Sequence, residues 1–164
     1  GNRDFVIGKA FARASGVSLL PDPVLLNLYG QPALLTHGDT LCTLDREYQA
    51  FRREARSETW ISNLLRKPLA ERKAAIEALR RQSEREKRSK AAEIMDVVPA
   101  EVEAMLRRYG YPRLIHGHTH RPARHLHSVD GHACERWVLA DWYRAGSYLA
   151  CDESGCRPLQ PSAG

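Results

Sequence analysis

The chain has 164 residues, of which 43% are hydrophobic and 27% charged, and it carries a formal net charge of +5 at neutral pH. This length and apolar content are enough for one globular domain with a buried core. The sequence has neither an apolar run of about 18 residues nor the pattern of a signal peptide, which argues against a transmembrane or secreted protein and predicts a cytoplasmic one. Its four cysteines follow no disulfide-scaffold spacing, so we expect reduced thiols.

The N-terminal part predicts one short helix and a hairpin. Residues 7–15 have helical character, and Gly16 is a typical helix end. Two apolar runs, residues 24–29 and 33–36, are separated by a Gly- and Pro-containing turn and predict two antiparallel strands. The second of these strands ends at His37. Because sites in α/β proteins form at the carboxyl ends of strands, His37 is a candidate functional residue.

The middle of the chain predicts helices. Residues 45–56 and 60–65 have apolar side chains at helical spacing, Pro68 breaks the second segment, and residues 69–89 predict a long amphipathic helix. Residues 66–90 include ten Lys or Arg and four Glu. This segment therefore has a net charge of +6, whereas the whole chain has a net charge of +5. Such a segment attracts polyanions, for example a phosphorylated substrate or an anionic membrane surface.

The remainder predicts a return to mixed α/β structure. Pro99 is well placed at the start of a helix over residues 99–109. Four short strands are predicted at the end of the chain, at residues 114–116, 124–128, 135–140 and 147–151. We therefore expect one α/β domain over residues 1–164, with a helical insertion at about residues 45–98.

Histidines concentrate in two short motifs, His37-Gly38-Asp39 and His116-Gly117-His118-Thr119-His120. Imidazole suits Mn, Fe, Co, Ni or Zn, and alternate histidines leaving a strand at a glycine can direct two rings into one pocket. Two metals about 3.5 to 4 Å apart can clamp a phosphoryl group and activate water. The pattern favours a phosphoesterase site, although such a site also needs a bridging carboxylate.

Three motifs, taken in order, resemble those of the calcineurin-like metallophosphoesterases. They are Gly1-Asn2-Arg3-Asp4-Phe5, residues 37–43 (HGDTLCT) and residues 117–122 (GHTHRP). Arg3, residues 45–52 (DREYQAFR), Ser89-Lys90 with residues 94–97 (IMDV), and residues 139–143 (LADWY) extend the resemblance to the UDP-2,3-diacylglucosamine pyrophosphatases of lipid A biosynthesis. The resemblance covers nearly the whole chain. It implies a calcineurin-like β-sandwich flanked by helices, with a helical lid where the insertion is predicted.

The resemblance also implies the site residues. One metal is expected to bind Asn2, His37 and His118, and the other His120. Catalytic roles fall on Arg3 and His118. The expected contacts to substrate are Asn2, Arg3, Asp45, Tyr48, Arg80, Ser83, Lys87, Lys90 and His118. The family has two further metal motifs N-terminal to these, including the bridging Asp, and neither is in this chain. We therefore expect the chain to be the C-terminal two thirds of such an enzyme and to be poorly active in isolation.

The activity that the resemblance implies is manganese-dependent hydrolysis of the pyrophosphate bond of UDP-2,3-diacylglucosamine. Hydroxide bound to a two-manganese centre attacks the α-phosphorus, giving UMP and 2,3-diacylglucosamine 1-phosphate (lipid X). Arg3 fits this reaction, because a guanidinium holds phosphate oxygens but cannot protonate an alkoxide leaving group. The implied location is the cytoplasmic face of the inner membrane of a Gram-negative bacterium, as a peripheral protein. No nucleic-acid partner is expected.

Other interpretations remain open. Another calcineurin-like phosphodiesterase acting on nucleotides would share the metal motifs but not the basic helix. A basic binding module without activity is the third possibility, if the chain truly starts at Gly1. His116 is expected to be buried rather than a ligand, and His125, His127 and His132 to lie at the surface.

Overall fold

A computed structural model of the chain describes residues 1, 4–142 and 146–161, without the side chains of residues 87–89. The helices are α1 Lys9–Ser15, α2 Arg46–Ala55, α3 Glu58–Arg66, α4 Leu69–Ser89 and α5 Pro99–Arg108. The strands are β1 Val24–Leu28, β2 Gln31–Thr36, β3 Arg113–His116, β4 Ala123–Val129, β5 His132–Val138, β6 Tyr148–Asp152 and β7 Gly155–Leu159.

Five of these strands form one mixed sheet in the order β1-β2-β3-β5-β4. The outer pairs β1/β2 and β4/β5 are antiparallel hairpins, whereas β3 pairs in parallel with both β2 and β5. A parallel pair needs a long crossover, and α2 to α5 provide it between β2 and β3. Strands β6 and β7 form a separate antiparallel pair.

Local sequence explains where the helices begin and end. The Asp45 carboxylate accepts a hydrogen bond from the Tyr48 backbone N–H at the start of α2, and the Ser57 hydroxyl accepts one from Trp60 at the start of α3. Pro68 immediately precedes α4, and Pro99 is the first residue of α5. Gly16 ends α1 in the left-handed conformation.

The core lies between α5 and one face of the five-stranded sheet. Val102 and Leu106 of α5 are fully buried against Leu34 of β2, Leu114 of β3 and Cys134 of β5. Strand residues alternate between the two faces of a sheet, so Arg136 and Val138 share the face of Cys134. A charged side chain therefore lies on the buried face of β5.

The predicted α/β class is confirmed: a mixed sheet is flanked by helices. All five predicted helices are present, and the predicted strands are found with ends shifted by a few residues. Strand β7 was not predicted. The division into a body and an inserted lid at residues 45–98 stays a prediction, and "lid" below means α2, α3 and α4. Among the described residues, no helix combines the length and apolarity that crossing a bilayer requires.

Candidate metal centre and its surroundings

Two imidazoles meet where neighbouring parallel strands end. His37 directly follows β2, and His118 comes two residues after β3. The ring centroids of His37 and His118 are 5.1 Å apart, edge to face. Burial is the main cause that lowers the pKa of His37 to about 4. The His37 ring is therefore neutral at physiological pH, which is the form of imidazole that binds a metal.

The loop after β3 has a strained backbone at both of its predicted ligands. His118 and His120 have φ angles of 63° and 53°, in the left-handed region that residues other than glycine rarely adopt. Each such residue costs about 1 to 3 kcal/mol, and strain of this kind concentrates at functional sites. The Gly117 N–H donates to the His37 carbonyl at 3.2 Å and joins the two histidine loops.

The ligand set is partial within the described residues. The rings of His37 and His118 lie next to each other. Nδ1 of His120 lies 3.9 Å from a carboxylate oxygen of Asp141, which was not among the predicted site residues. Across residues 4–142 and 146–161, no group of three His, Cys, Asp or Glu side chains could hold a metal. Asn2 and Arg3, predicted as ligand and catalytic residue, fall outside the described residues. The donors present thus fit part of a metal centre.

Asp39 is the anchor of the lid, a role that the sequence did not predict. Its side chain is fully buried, and Oδ2 accepts hydrogen bonds from Tyr48 Oη at 3.1 Å, Arg52 Nε at 2.8 Å and Arg56 Nη2 at 2.6 Å. Burial tends to raise the pKa of Asp39, but the hydrogen bond from Arg52 and the two guanidinium charges together hold it below its ordinary value. The spacing of Tyr48, Arg52 and Arg56, at steps of four, was the available signal.

Tyr48 connects this anchor to the metal loop. Its ring centroid lies 5.0 Å from that of His118, while its hydroxyl donates to Asp39. The predicted substrate contact Tyr48 thus lies at the candidate metal centre. Desolvation, followed by the charge of Asp39, raises the pKa of the Tyr48 hydroxyl above its ordinary value, so this group stays protonated at physiological pH.

Two predicted substrate contacts bind each other. Lys90 Nζ lies 2.7 Å from Asp45 Oδ1 and 3.1 Å from Glu47 Oε2. Lys90 follows the last residue of α4, so this ion pair ties the end of α4 to the start of α2. The structure brings Asp45, Tyr48 and Lys90 to one end of the lid.

The other predicted contacts on α4 lie further away along the helix. Arg80 is exposed and Ser83 is half-buried. At 1.5 Å per residue, Arg80 is about 15 Å along the helix from Lys90. The predicted contact at Lys87 falls on a side chain outside the described part of the structure. A single small head group could not contact both Arg80 and Lys90 if α4 is straight, so these two predicted contacts belong to different parts of the helix.

His116 is buried, as predicted, and it packs against Gly38. Its Nδ1 is 3.0 Å from the Gly117 carbonyl, and its Nε2 is 3.0 Å from Arg136 Nη1. Gly38 has φ of 95°, and a Cβ added there would lie 2.7 Å from His116 Nδ1. Of the three histidines expected at the surface, His132 is exposed, whereas His125 and His127 are half-buried beside Arg136.

Replacing Gly38 with alanine is expected to destabilise the protein by about 3 kcal/mol, because the left-handed backbone and the contact with His116 both penalise a Cβ. Equilibrium denaturation in urea measures this loss. Gly131→Ala is the matched control: Gly131 has φ of 83° but open space around the added Cβ. Only the backbone cost, about 1 kcal/mol, is expected there. Equal losses in the two variants would contradict the packing of Gly38 against His116.

Comparison with known proteins finds close relatives that share one name. The chain is 55% identical over 155 residues to a UDP-2,3-diacylglucosamine hydrolase of Aromatoleum aromaticum, covering 94% of this chain and 63% of that protein. It is 49% identical over 162 residues to the protein of that name from Xanthomonas campestris pv. campestris, covering 94% of this chain and 66% of the relative. It is 50% identical over 157 residues to the protein of that name from Pseudomonas paraeruginosa, covering 96% of this chain and 65% of that protein.

The chain thus spans about 65% of the length of the curated relatives that it matches. No family model matches the sequence.

Proposed function

Since this chain is homologous over nearly its whole length to the UDP-2,3-diacylglucosamine hydrolases, we propose that the protein hydrolyses the pyrophosphate bond of UDP-2,3-diacylglucosamine. The products are UMP and 2,3-diacylglucosamine 1-phosphate, and the reaction belongs to lipid A biosynthesis. The proposal is carried by the sequence identity of 55% and 50% to relatives of that name. The matched stretch includes both histidine motifs.

The proposed cofactor is a pair of manganese ions, with Asn2, His37 and His118 at one ion and His120 at the other. Bound there, the metals would supply charge neutralisation for the phosphoryl group and activation of water. The neutral His37 ring beside His118 supports this assignment, because metal ligation needs an unprotonated imidazole.

The described side chains suit recognition of a phosphorylated head group. The Tyr48 ring lies beside His118 while its hydroxyl donates to Asp39, so a head group bound at the metal loop would pack against this ring. Lys90 forms ion pairs with Asp45 and Glu47. When a sugar phosphate binds at this end of the lid, its oxygens would replace these carboxylates as partners of the Lys90 ammonium group. The basic α4 supports a peripheral location at the anionic cytoplasmic face of the inner membrane.

Activity on two substrates tests the proposal. The full-length protein that contains this chain, supplied with manganese, is expected to hydrolyse UDP-2,3-diacylglucosamine with a much higher kcat/KM than bis(p-nitrophenyl) phosphate, a plain phosphodiester. Release of UMP and the glucosamine 1-phosphate is followed by chromatography. Equal kcat/KM for the two compounds would favour a general nucleotide phosphodiesterase and contradict the lipid substrate.

Lys90→Gln sharpens the same assay. We expect KM for the lipid substrate to rise about tenfold, since a charge-assisted hydrogen bond contributes about 1.5 kcal/mol, while hydrolysis of the plain phosphodiester changes little. Arg81→Gln is the matched control, because Arg81 is an exposed cation of α4 whose ion pair with Glu77 is long, at 4.0 Å. Equal effects of the two substitutions would show that only the overall charge of α4 matters.

A further inference from the structure

Arg136 is a buried guanidinium that forms no ion pair with a carboxylate among the described residues; Asp96, which is paired with Arg121, attracts it only at longer range. The residue is 7% exposed and lies on the core face of β5. Its hydrogen bonds go to two imidazoles, from Nε to His127 Nε2 at 3.3 Å and from Nη1 to His116 Nε2 at 3.0 Å. Removing a cation from water without a counterion costs several kcal/mol, so this arrangement is expensive as it stands.

The imidazoles around Arg136 do not supply negative charge. An imidazole is either neutral or cationic, so none of the rings of His116, His125 and His127 supplies a negative charge to Arg136. His116 Nε2 and His127 Nε2 act toward the guanidinium as hydrogen-bond acceptors. The Nη2 donors of Arg136 have no hydrogen-bond partner among the described residues.

A cavity of about 280 Å³ opens directly beside this guanidinium. Arg121, His125 and Thr119 also line it, and the buried Thr119 hydroxyl has no hydrogen-bond partner among the described residues. Asp96 lines the cavity as well, but Arg121 binds its carboxylate. The charged residues that line the cavity, Arg121, Arg136 and Asp96, leave a net charge of +1. The Nη2 donors of Arg136 are not used by any described residue, and the buried Thr119 hydroxyl lacks a partner among them.

We infer that this cavity binds an anion of the phosphate class, with Arg136 as its counterion and the Thr119 hydroxyl as a further donor. Guanidinium matches the oxygens of phosphate in a two-pronged contact, which a chloride ion cannot accept. Thr119 lies between His118 and His120, so the anion would be held next to the candidate metal loop. The inference goes beyond the proposed function and does not require hydrolysis.

Two sources can present this chemistry, inorganic phosphate and the phosphate of a nucleotide such as UMP. Ala123 provides a way to block both. It is an exposed residue of the edge strand β4, lines the cavity, and pairs with Val138, so it shares the face of Arg136. A glutamate placed there would bring a carboxylate to the guanidinium and compete with the anion, whereas a glutamine of the same size would not.

The experiment is a titration of the full-length protein, freed of metal with a chelator so that the metal loop does not contribute. Inorganic phosphate, UMP and uridine are added separately at low ionic strength, and binding is followed by calorimetry and by the NMR signals of the Arg136 side chain and the Thr119 amide. Phosphate or UMP is expected to bind the unmodified protein and Ala123→Gln alike, and Ala123→Glu at least tenfold more weakly.

Three results would overturn the inference: absence of binding by both phosphate and UMP, equal binding by Ala123→Glu and Ala123→Gln, or binding of uridine as tight as that of UMP. If UMP binds much more tightly than inorganic phosphate, the anion comes from a nucleotide. If the two bind equally, the site takes free phosphate. Loss of the proposed hydrolase activity would leave these titrations unaffected, so the two proposals fail separately.

Discussion

Replacing His118 with alanine is expected to lower the kcat of the full-length protein on UDP-2,3-diacylglucosamine by about 100-fold or more. Substituting a residue that only hydrogen-bonds to a metal ligand typically lowers metal affinity or activity 10- to 100-fold. Removing a ligand itself should lower them at least as much. His118 is the residue that joins the two halves of the candidate site, because its ring contacts both His37 and Tyr48. Activity and bound manganese are measured on the same samples, and both are expected to fall.

His132→Ala is the control for this variant. His132 is an exposed histidine that stacks on Tyr111, with 3.9 Å between the ring centroids, and it is not near the metal loop in sequence. Metal content and kcat should stay within about twofold of the unmodified protein there, as is usual for surface substitutions. A His118→Ala protein that keeps its manganese and its activity would refute the role of His118 as a ligand.

Asp39→Asn is expected to lower the free energy of unfolding by about 3 kcal/mol at pH 7. The substitution removes the charge that compensates Arg52 and Arg56, and breaking a buried ion pair costs about 3 to 5 kcal/mol. The lower end applies because the two arginine side chains keep 21% and 23% of their surface exposed. Urea denaturation measures the difference, with fluorescence of the tryptophans as the probe.

The pH dependence of this difference follows from the direction of the pKa shift. The folded pKa of Asp39 lies below its ordinary value of 3.8. Its contribution is therefore fully present above about pH 4 and is lost as the pH falls through the folded pKa. Since asparagine does not titrate, the two proteins should converge in stability on acidification below pH 4. A difference that stays constant across that range would contradict the ionised, paired state of Asp39.

Asp130→Asn is a closely matched control. The Asp130 carboxylate also receives two guanidinium hydrogen bonds and one from a tyrosine hydroxyl, from Arg107 and Tyr111. Its side chain is 45% exposed, so water solvates both partners and screens their attraction. A much smaller loss of stability than for Asp39→Asn is expected, and an equal loss would show that burial is not what makes Asp39 important.

The helices were predictable because their signals are local. Periodic apolar residues, the capping residues Asp45 and Ser57, and prolines at positions 68 and 99 act within one or two turns of the chain. Strand β7 escaped prediction since residues 155–159 contain a proline and an arginine and lack apolar alternation. That segment is a strand because β6 pairs with it, which is a non-local cause.

The candidate site likewise has one part that the sequence predicted and one part that depends on contacts between distant residues. The pairing of β2 and β3 confirms that the ends of these strands meet, which brings His37 and His118 together as the motifs suggested. The relation of Lys90 to Asp45, by contrast, could not be predicted from sequence: both were interpreted as substrate contacts, and they bind each other across 45 positions of the chain.

By itself the sequence determined the histidine motifs, the helical segments and the family resemblance, because each depends on residue types at short spacing. Only the tertiary structure decided that Asp39 holds two arginines of the lid, and that Arg136 lies buried among imidazoles. In the sequence both are charged residues next to strand-forming ones, the usual pattern of a surface position. Their burial depends on which strands pair and which helix covers the sheet, and that is settled by contacts between distant parts of the chain.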